Sequence, residues 1–362
     1  MPIVVNTNTS ATTASFNLSR ANDSLRKSLA RLSSGNRIVS PADDAGGLAV
    51  AYKLSSKLKR TEAVRNNVQN GISYLQVQDG ALTTVAKVVD RMAELRTMAQ
   101  DVTKNTQDVE NYSKEFIELQ RQLNQLKNDT FNGMSLFTHS GALAVMTPPD
   151  LRPQLNKDDT GVDEEGRNYY KFSRTLYTHA SGRMDDGNVS IGVTNLQYVL
   201  SLGALDTRYI SDAGGIDTAA AINAGRAAAL LADPEDSFIN LGNINGTNKG
   251  DLAVTANQNE IYTSDGYLKS IMFVSVGQFE NIIERLADVR AENGAEQSRL
   301  NISGELLIQN QTNLEAAHGR IMDADIALES TRFARHNVLV QASAAMTAQA
   351  NQLTNVALTL LG

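Results

Sequence analysis

Apolar positions along this 362-residue chain fall into long helical runs interrupted by one stretch of different character. Near the N-terminus Val4, Thr7, Ala11, Ala14, Leu18, Ala21, Leu25, Ser28 and Leu32 alternate steps of three and four, and near the C-terminus Leu339, Ala342, Met346, Gln349, Leu353, Val356 and Leu360 do the same. Each run predicts a coiled-coil seam. From Asp44 to about Thr103, apolar positions including Leu48, Leu58, Val68, Leu75, Leu82, Val89 and Leu95 predict one long helix, with Gly71 and Gly80 expected to mark curvature. A shorter helix is predicted over Asp108–Asn128, then a turn at Asn132-Gly133 opening into a short strand. Helix resumes from Val276 to about Glu315, with Phe279, Ile282, Leu286, Leu300, Ile302, Leu306, Leu307 and Leu314 on its apolar side.

Proline placement supports this division, because residues 42–147 and 235–362 contain none and an interior proline costs a helix about 3 kcal/mol. Between Gly141 and Ser264 lie four of the six prolines, turn pairs such as Asp186-Gly187 and Asn245-Gly246, and the strand-like run Val189–Val193. This predicts an inserted α+β domain whose helix is Thr218–Ala232. The expected fold is mostly α: a long antiparallel coiled-coil rod made by the N- and C-terminal segments, with the insert at its far end.

Charge changes the reading of the two ends. No Asp, Glu, Lys or Arg precedes Arg20 or follows Arg335, although charged residues are 20% of the chain. A seam flanked only by small and neutral polar residues predicts that even the outer face of the helix meets protein. Residues 1–60 hold nine basic side chains against three acidic ones, but the whole chain carries −7 and no nucleic-acid motif accompanies the basic stripe. Nucleic-acid binding is therefore not expected. No apolar run is long enough to insert in a membrane, and Met1–Ser19 lacks the basic and apolar regions of a secretory signal.

Candidate chemistry is sparse. Cysteine is absent, which removes disulfides, thiol nucleophiles and Cys-ligated metals, and the four histidines have no zinc-ligand spacing. No nucleophile-elbow or phosphate-loop motif occurs, so no catalytic residue, cofactor or metal is expected. Asp43-Asp44 after Ser40-Pro41 is the one close carboxylate pair in a suggestive context, and it reads as a helix N-cap rather than an acid/base pair.

The run Leu29-Ala30-Arg31-Leu32-Ser33-Ser34-Gly35-Asn36-Arg37-Ile38, continuing through Asp43-Asp44-Ala45-Gly46-Gly47-Leu48-Ala49, resembles the N-terminal signature of bacterial flagellins. Phe131-Asn132-Gly133, Asn313-Leu314-Glu315-Ala316-Ala317, Asp323-Ala324-Asp325 and Ala348-Gln349-Ala350-Asn351-Gln352 extend the resemblance over residues 1–140 and 265–362. Val39, Gly46, His318-Gly319 and Thr354 depart from the usual pattern.

The resemblance implies a structural subunit, exported unfolded through the flagellar type III apparatus, that polymerises with many copies of itself into the extracellular filament. The alternative is a hook-filament junction protein. It implies a terminal domain at 1–43 and 320–362, a helical domain at 44–140 and 265–319, and a variable surface domain at 141–264. Implied partners are an export chaperone on the C-terminal segment and the filament cap and hook-filament junction proteins. Arg91, Glu94, Leu95 and Glu115 match a patch by which a vertebrate innate immune receptor recognises many flagellins. The residues expected to pack subunits together are Leu18, Leu25, Leu29, Leu32, Leu339, Met346, Leu353, Val356 and Leu360.

Overall fold

The computed structural model describes residues 8–138, 156–162, 168–183, 185–202, 239–241, 263 and 265–361, with backbone alone at 156–162, 168–170, 239–240 and 353–361. The predicted helix Thr218–Ala232 and the seam positions Val4 and Thr7 lie outside the described residues, as do the side chains of Leu353, Val356 and Leu360. The chain divides into two compact units, residues 1–63 with 307–362 and residues 64–306.

In the first unit, α1 (Thr9–Ser34) packs against α6 (Ile326–Leu361). The Asn8 side chain caps α1 by accepting from the Ala11 N–H, and Gly35, at φ 70°, ends it by donating to Arg31 O. That left-handed conformation is cheap only for glycine. Asn8 Nδ2 donates to Ala350 O at 2.9 Å, while Arg31 lies beside Glu329 at the other end, so the two helices run antiparallel. The predicted seam of α1 is the observed one: Ala11, Ala14, Leu18, Ala21, Leu25, Ser28 and Leu32 are buried or half-buried, with exposed residues between them. Leu29 lies off this seam and is 54% exposed.

The predicted seam of α6 is displaced by one residue. The face turned to α1 is Glu329, Phe333, His336, Val340, Ser343, Thr347 and Ala350. Leu339, Ala342, Met346 and Gln349 stand exposed on the flank, about 100° round the helix from that face. Both stripes step by three and four, so periodicity alone does not choose between them.

Between α1 and α6 the chain breaks twice, and the two breaks are tied together. Asn36 and Asp323 form an isolated antiparallel bridge, with Arg37 N donating to Met322 O and Ala324 N to Gly35 O. The Arg37 guanidinium closes the tie by donating to Ile321 O from Nε at 3.1 Å and Nη2 at 2.7 Å, capping the last turn of α5 (Val276–Met322). At the start of α2 (Ala45–Ala99), Asp44 Oδ1 accepts from Gly47 N at 2.8 Å. Asp43 turns back to accept from Val39 N and Ser40 N and pairs with Lys27. The carboxylate pair is thus a cap and a loop clasp.

The second unit holds most of α2, α3 (Thr106–Leu126) and the first part of α5. Asn105 and Asp108 form a reciprocal capping box at the start of α3. Leu75, Leu82, Val85, Val89 and Met92 of α2 are fully buried with Phe116 and Leu123 of α3 and Phe279, Ile282 and Leu300 of α5. Ile302 and Leu306, expected on the apolar side of α5, are instead 65% and 61% exposed. Asn132 and Gly133, both at positive φ, turn the predicted hairpin between β1 (Thr130–Phe131) and β2 (Met134–Ser135).

A four-stranded sheet has the order β3-β6-β5-β4. Its strands are β3 (Phe137–Thr138), β4 (Asn156–Val162), β5 (Asn168–Tyr177) and β6 (Asn188–Asn195). β6 includes the predicted run Val189–Val193 and alternates as a half-buried strand should, with Val189, Ile191 and Val193 inward and Ser190 outward. After it come a one-turn helix, α4 (Leu196–Val199), and the paired strands β7 (Ser201–Leu202) and β8 (Ile239–Asn240). The sheet lies against α2 at Gly71, where a Cβ would stand 3.0 Å from Leu176 Cδ2 and 3.2 Å from Ile191 Cδ1. Gly71 therefore permits close approach. Gln78, 1% exposed, joins the same elements by donating to Leu136 O and Thr194 Oγ1 while its Oε1 accepts from Asn293 Nδ2.

Candidate assembly surface

Large apolar side chains left in solvent are concentrated in the first unit: of sixteen among the described residues, Phe16, Leu29, Val39, Val50, Tyr52, Ile308, Ile326, Leu328, Val338, Leu339 and Met346 belong to it. On α6 the strip holding Leu339 and Met346 carries no charge beyond Arg335. Met346 is 63% exposed and Leu339 43%. A soluble helix would keep its polar residues on that side. Leu18, Leu25 and Leu32 instead face α6 and are spent on contacts within the chain.

The seam between α1 and α6 holds one buried charge that its periodicity did not reveal. Glu329 is 4% exposed, with Oε2 3.3 Å from Arg332 Nη1 and 4.0 Å from Arg31 Nη1. Glu329 Oε1 and Arg31 Nε are buried without hydrogen-bond partners. The available signal was the alternative heptad frame through Phe333 and Val340, in which Glu329 occupies a seam position.

The four residues matched to the receptor patch separate into two environments. Arg91 pairs with Glu115 at 2.8 Å and with Glu94 at 2.9 Å, and all three side chains are exposed. The Glu115 carboxylate, with Glu94 adding, holds the Arg91 guanidinium above its ordinary pKa. Leu95 does not join them: it is fully buried, because α2 uses that position for its contact inside the second unit.

A cleft of about 450 Å³ lies beside β5, β6 and α5. Four of its charged groups are engaged with one another or with backbone: Lys171 pairs with Glu292 at 3.1 Å, Arg285 donates to Ser201 O, and both Glu296 oxygens accept from Gly192 N. Burial raises the Glu296 pKa, which Glu292 reinforces and the Gly192 N–H opposes. Among the described residues no cluster of metal-ligating side chains occurs, and no helix is long and apolar enough to cross a membrane.

Two family models match the chain, the bacterial flagellin N-terminal helical region over residues 5–142 and the C-terminal helical region over residues 276–361. The chain belongs to the bacterial flagellin family. Curated relatives include Flagellin A of Vibrio anguillarum, 29% identical over the full length of both chains. Another is the flagellar filament 41 kDa core protein of Borreliella burgdorferi, 27% identical over 99% of this chain and all of that one. Among solved structures, a putative flagellar hook-associated protein from Vibrio parahaemolyticus aligns over 78% of this chain and all of that one, at 14% identity and TM-score 0.44. Bacillus cereus flagellin aligns over 70% of this chain and 94% of that one, at 16% identity and TM-score 0.34. This flagellin is a structural subunit of the extracellular flagellar filament, a homopolymer, and the junction-protein alternative is not favoured.

Proposed function

We propose that this flagellin joins its neighbours through the exposed strip of α6, Leu339, Ala342, Met346 and Gln349, with Phe16 and Leu29 of α1 as further contacts. The observation that carries this is an apolar strip left in solvent on the part of α6 beyond Arg335, which carries no charge. In a polymer the occupant is a second copy of the chain, and contacts repeated without closing propagate into a filament. Leu353, Val356 and Leu360 continue the same three-and-four spacing and belong to the same proposal. The division into residues 1–43 with 320–362, 44–140 with 265–319, and 141–264 is proposed as the order of layers from the filament axis outward. Before assembly an export chaperone covers the C-terminal segment, and the cap and hook-filament junction proteins meet the ends of the polymer. Arg91, Glu94 and Glu115, without Leu95, are the proposed receptor-facing group. The protein performs no catalysis in this reading.

The test is a chain lacking residues 340–362, examined by electron microscopy for filaments and by thermal unfolding for the second unit. Expected are no filaments and an unchanged unfolding transition for that unit. Filaments of normal length would overturn the proposal.

A further inference from the structure

α6 offers α1 two stripes of the same spacing, and the structure uses one of them. The stripe in use is Glu329, Phe333, His336, Val340, Ser343, Thr347 and Ala350. The other is Arg332, Arg335, Leu339, Ala342, Met346 and Gln349. Each stripe carries three apolar residues, Phe333, Val340 and Ala350 in the one and Leu339, Ala342 and Met346 in the other, so hydrophobic burial alone gives no large preference between them. Something else sets the rotation of the helix.

We infer that the charged layer at the base of α6, Glu329 against Arg31 with Arg332 and Arg335 held outside, selects which face of α6 meets α1 and so keeps the Leu339 and Met346 stripe outward. In the observed rotation the Glu329 carboxylate sits inside the seam beside Arg31, and Arg332 stays 52% exposed. Turning the other stripe inward withdraws Glu329 from Arg31. It also brings Arg332 and Arg335 to the α1 side, where Arg31 already stands, and places like charges together in a desolvated seam. The tie between residues 35–37 and 321–324 fixes where the two helices begin, and the charged layer lies one turn further along α6. Burying one charge to specify a packing arrangement is a recognised use of polar residues in coiled-coil seams. Glu329 is thus a positioning residue. It acts on assembly through the orientation of α6, and this inference rests on the proposed role of the outward stripe.

The experiment exchanges the two charges, E329R with R332E, in the full-length chain, which keeps composition and net charge. Because the protein has no cysteine, introduced pairs report the facing by intrachain disulfide trapping. Ala11→Cys with Thr347→Cys reports the observed face, and Ala11→Cys with Met346→Cys reports the other. In the native background the first pair is expected to cross-link several-fold faster than the second. The exchange is expected to reverse that ratio and to lower filament yield, and E329Q, which keeps the shape and removes the charge, to bring the ratio towards one. An unchanged preference for Thr347 in the exchanged chain overturns the inference, because packing then chooses the face. Loss of both cross-links also overturns it, because the layer then stabilises the pair without orienting it. A reversed ratio with normal filaments supports the face selection and overturns the outward stripe as the polymer contact, which keeps the two readings separate.

Discussion

At the scale of single residues, the carboxylates before α2 show how a suggestive pair becomes structural. Asp44 holds the Gly47 N–H, and a Cβ on Gly47 would lie 2.3 Å from Asp44 Oδ2 and 3.1 Å from Ile38 Cδ1. Gly47→Ala should therefore displace the capping carboxylate and cost about 1 to 2 kcal/mol, read from the loss of helical circular dichroism on heating. Asp43 has the opposite exposure to risk. Lys27 first, then the Val39 and Ser40 N–H groups, hold its pKa below the ordinary 3.8 against the opposing effect of burial. A depressed carboxyl stabilises the folded state above its unfolded pKa, and that stabilisation fades as pH falls through the folded value. The stability difference between the native chain and Asp43→Asn should be flat from about pH 7 to about pH 5 and shrink below about pH 4. A difference that instead grew on acidification would remove Asp43 as the clasp.

At the scale of elements, helix existence was legible and helix facing was not. The predicted spans of α2, α3 and β6, the Asn132-Gly133 turn and the seam of α1 from Ala11 to Leu32 are observed, because proline-free periodicity and turn chemistry are local properties of the chain. The seam of α6 was misplaced because its two stripes share the same three-and-four spacing, and the observed facing puts Glu329 in the seam beside Arg31. Leu95, matched to the receptor patch, lies in the core, and a match at a surface patch does not say which side of the helix the core occupies. Gly71 was read as a bend and proves to be a point of contact with the sheet, a role set by Leu176 and Ile191 more than 100 residues away. Gly71→Val should accordingly destabilise the second unit by about 1 to 3 kcal/mol through overpacking, measured by urea unfolding. Gly80→Ala, with nothing within 4 Å of the added Cβ, should be neutral or slightly stabilising through helix propensity.

At the scale of the whole molecule, the uncharged ends separate two tasks that a single hydrophobic pattern conceals. One stripe of each terminal helix joins α1 to α6, and a second stripe on α6 remains free, so substitutions on the two stripes should fail differently. Leu18 lies in the seam between the helices, and Leu18→Glu places an unpaired charge there, which is expected to cost several kcal/mol and separate α1 from α6. Met346→Glu leaves that seam intact, because the side chain already points to solvent. It should abolish filaments all the same, since each neighbour in the polymer would have to desolvate a carboxylate against an apolar strip. Hydrogen exchange on the two purified chains distinguishes them: amides of α1 and α6 should lose protection relative to the native chain in Leu18→Glu and keep it in Met346→Glu, while electron microscopy finds filaments in neither. Normal filaments from Met346→Glu would move the polymer contact off this strip, to the exposed Phe16 and Leu29 of α1.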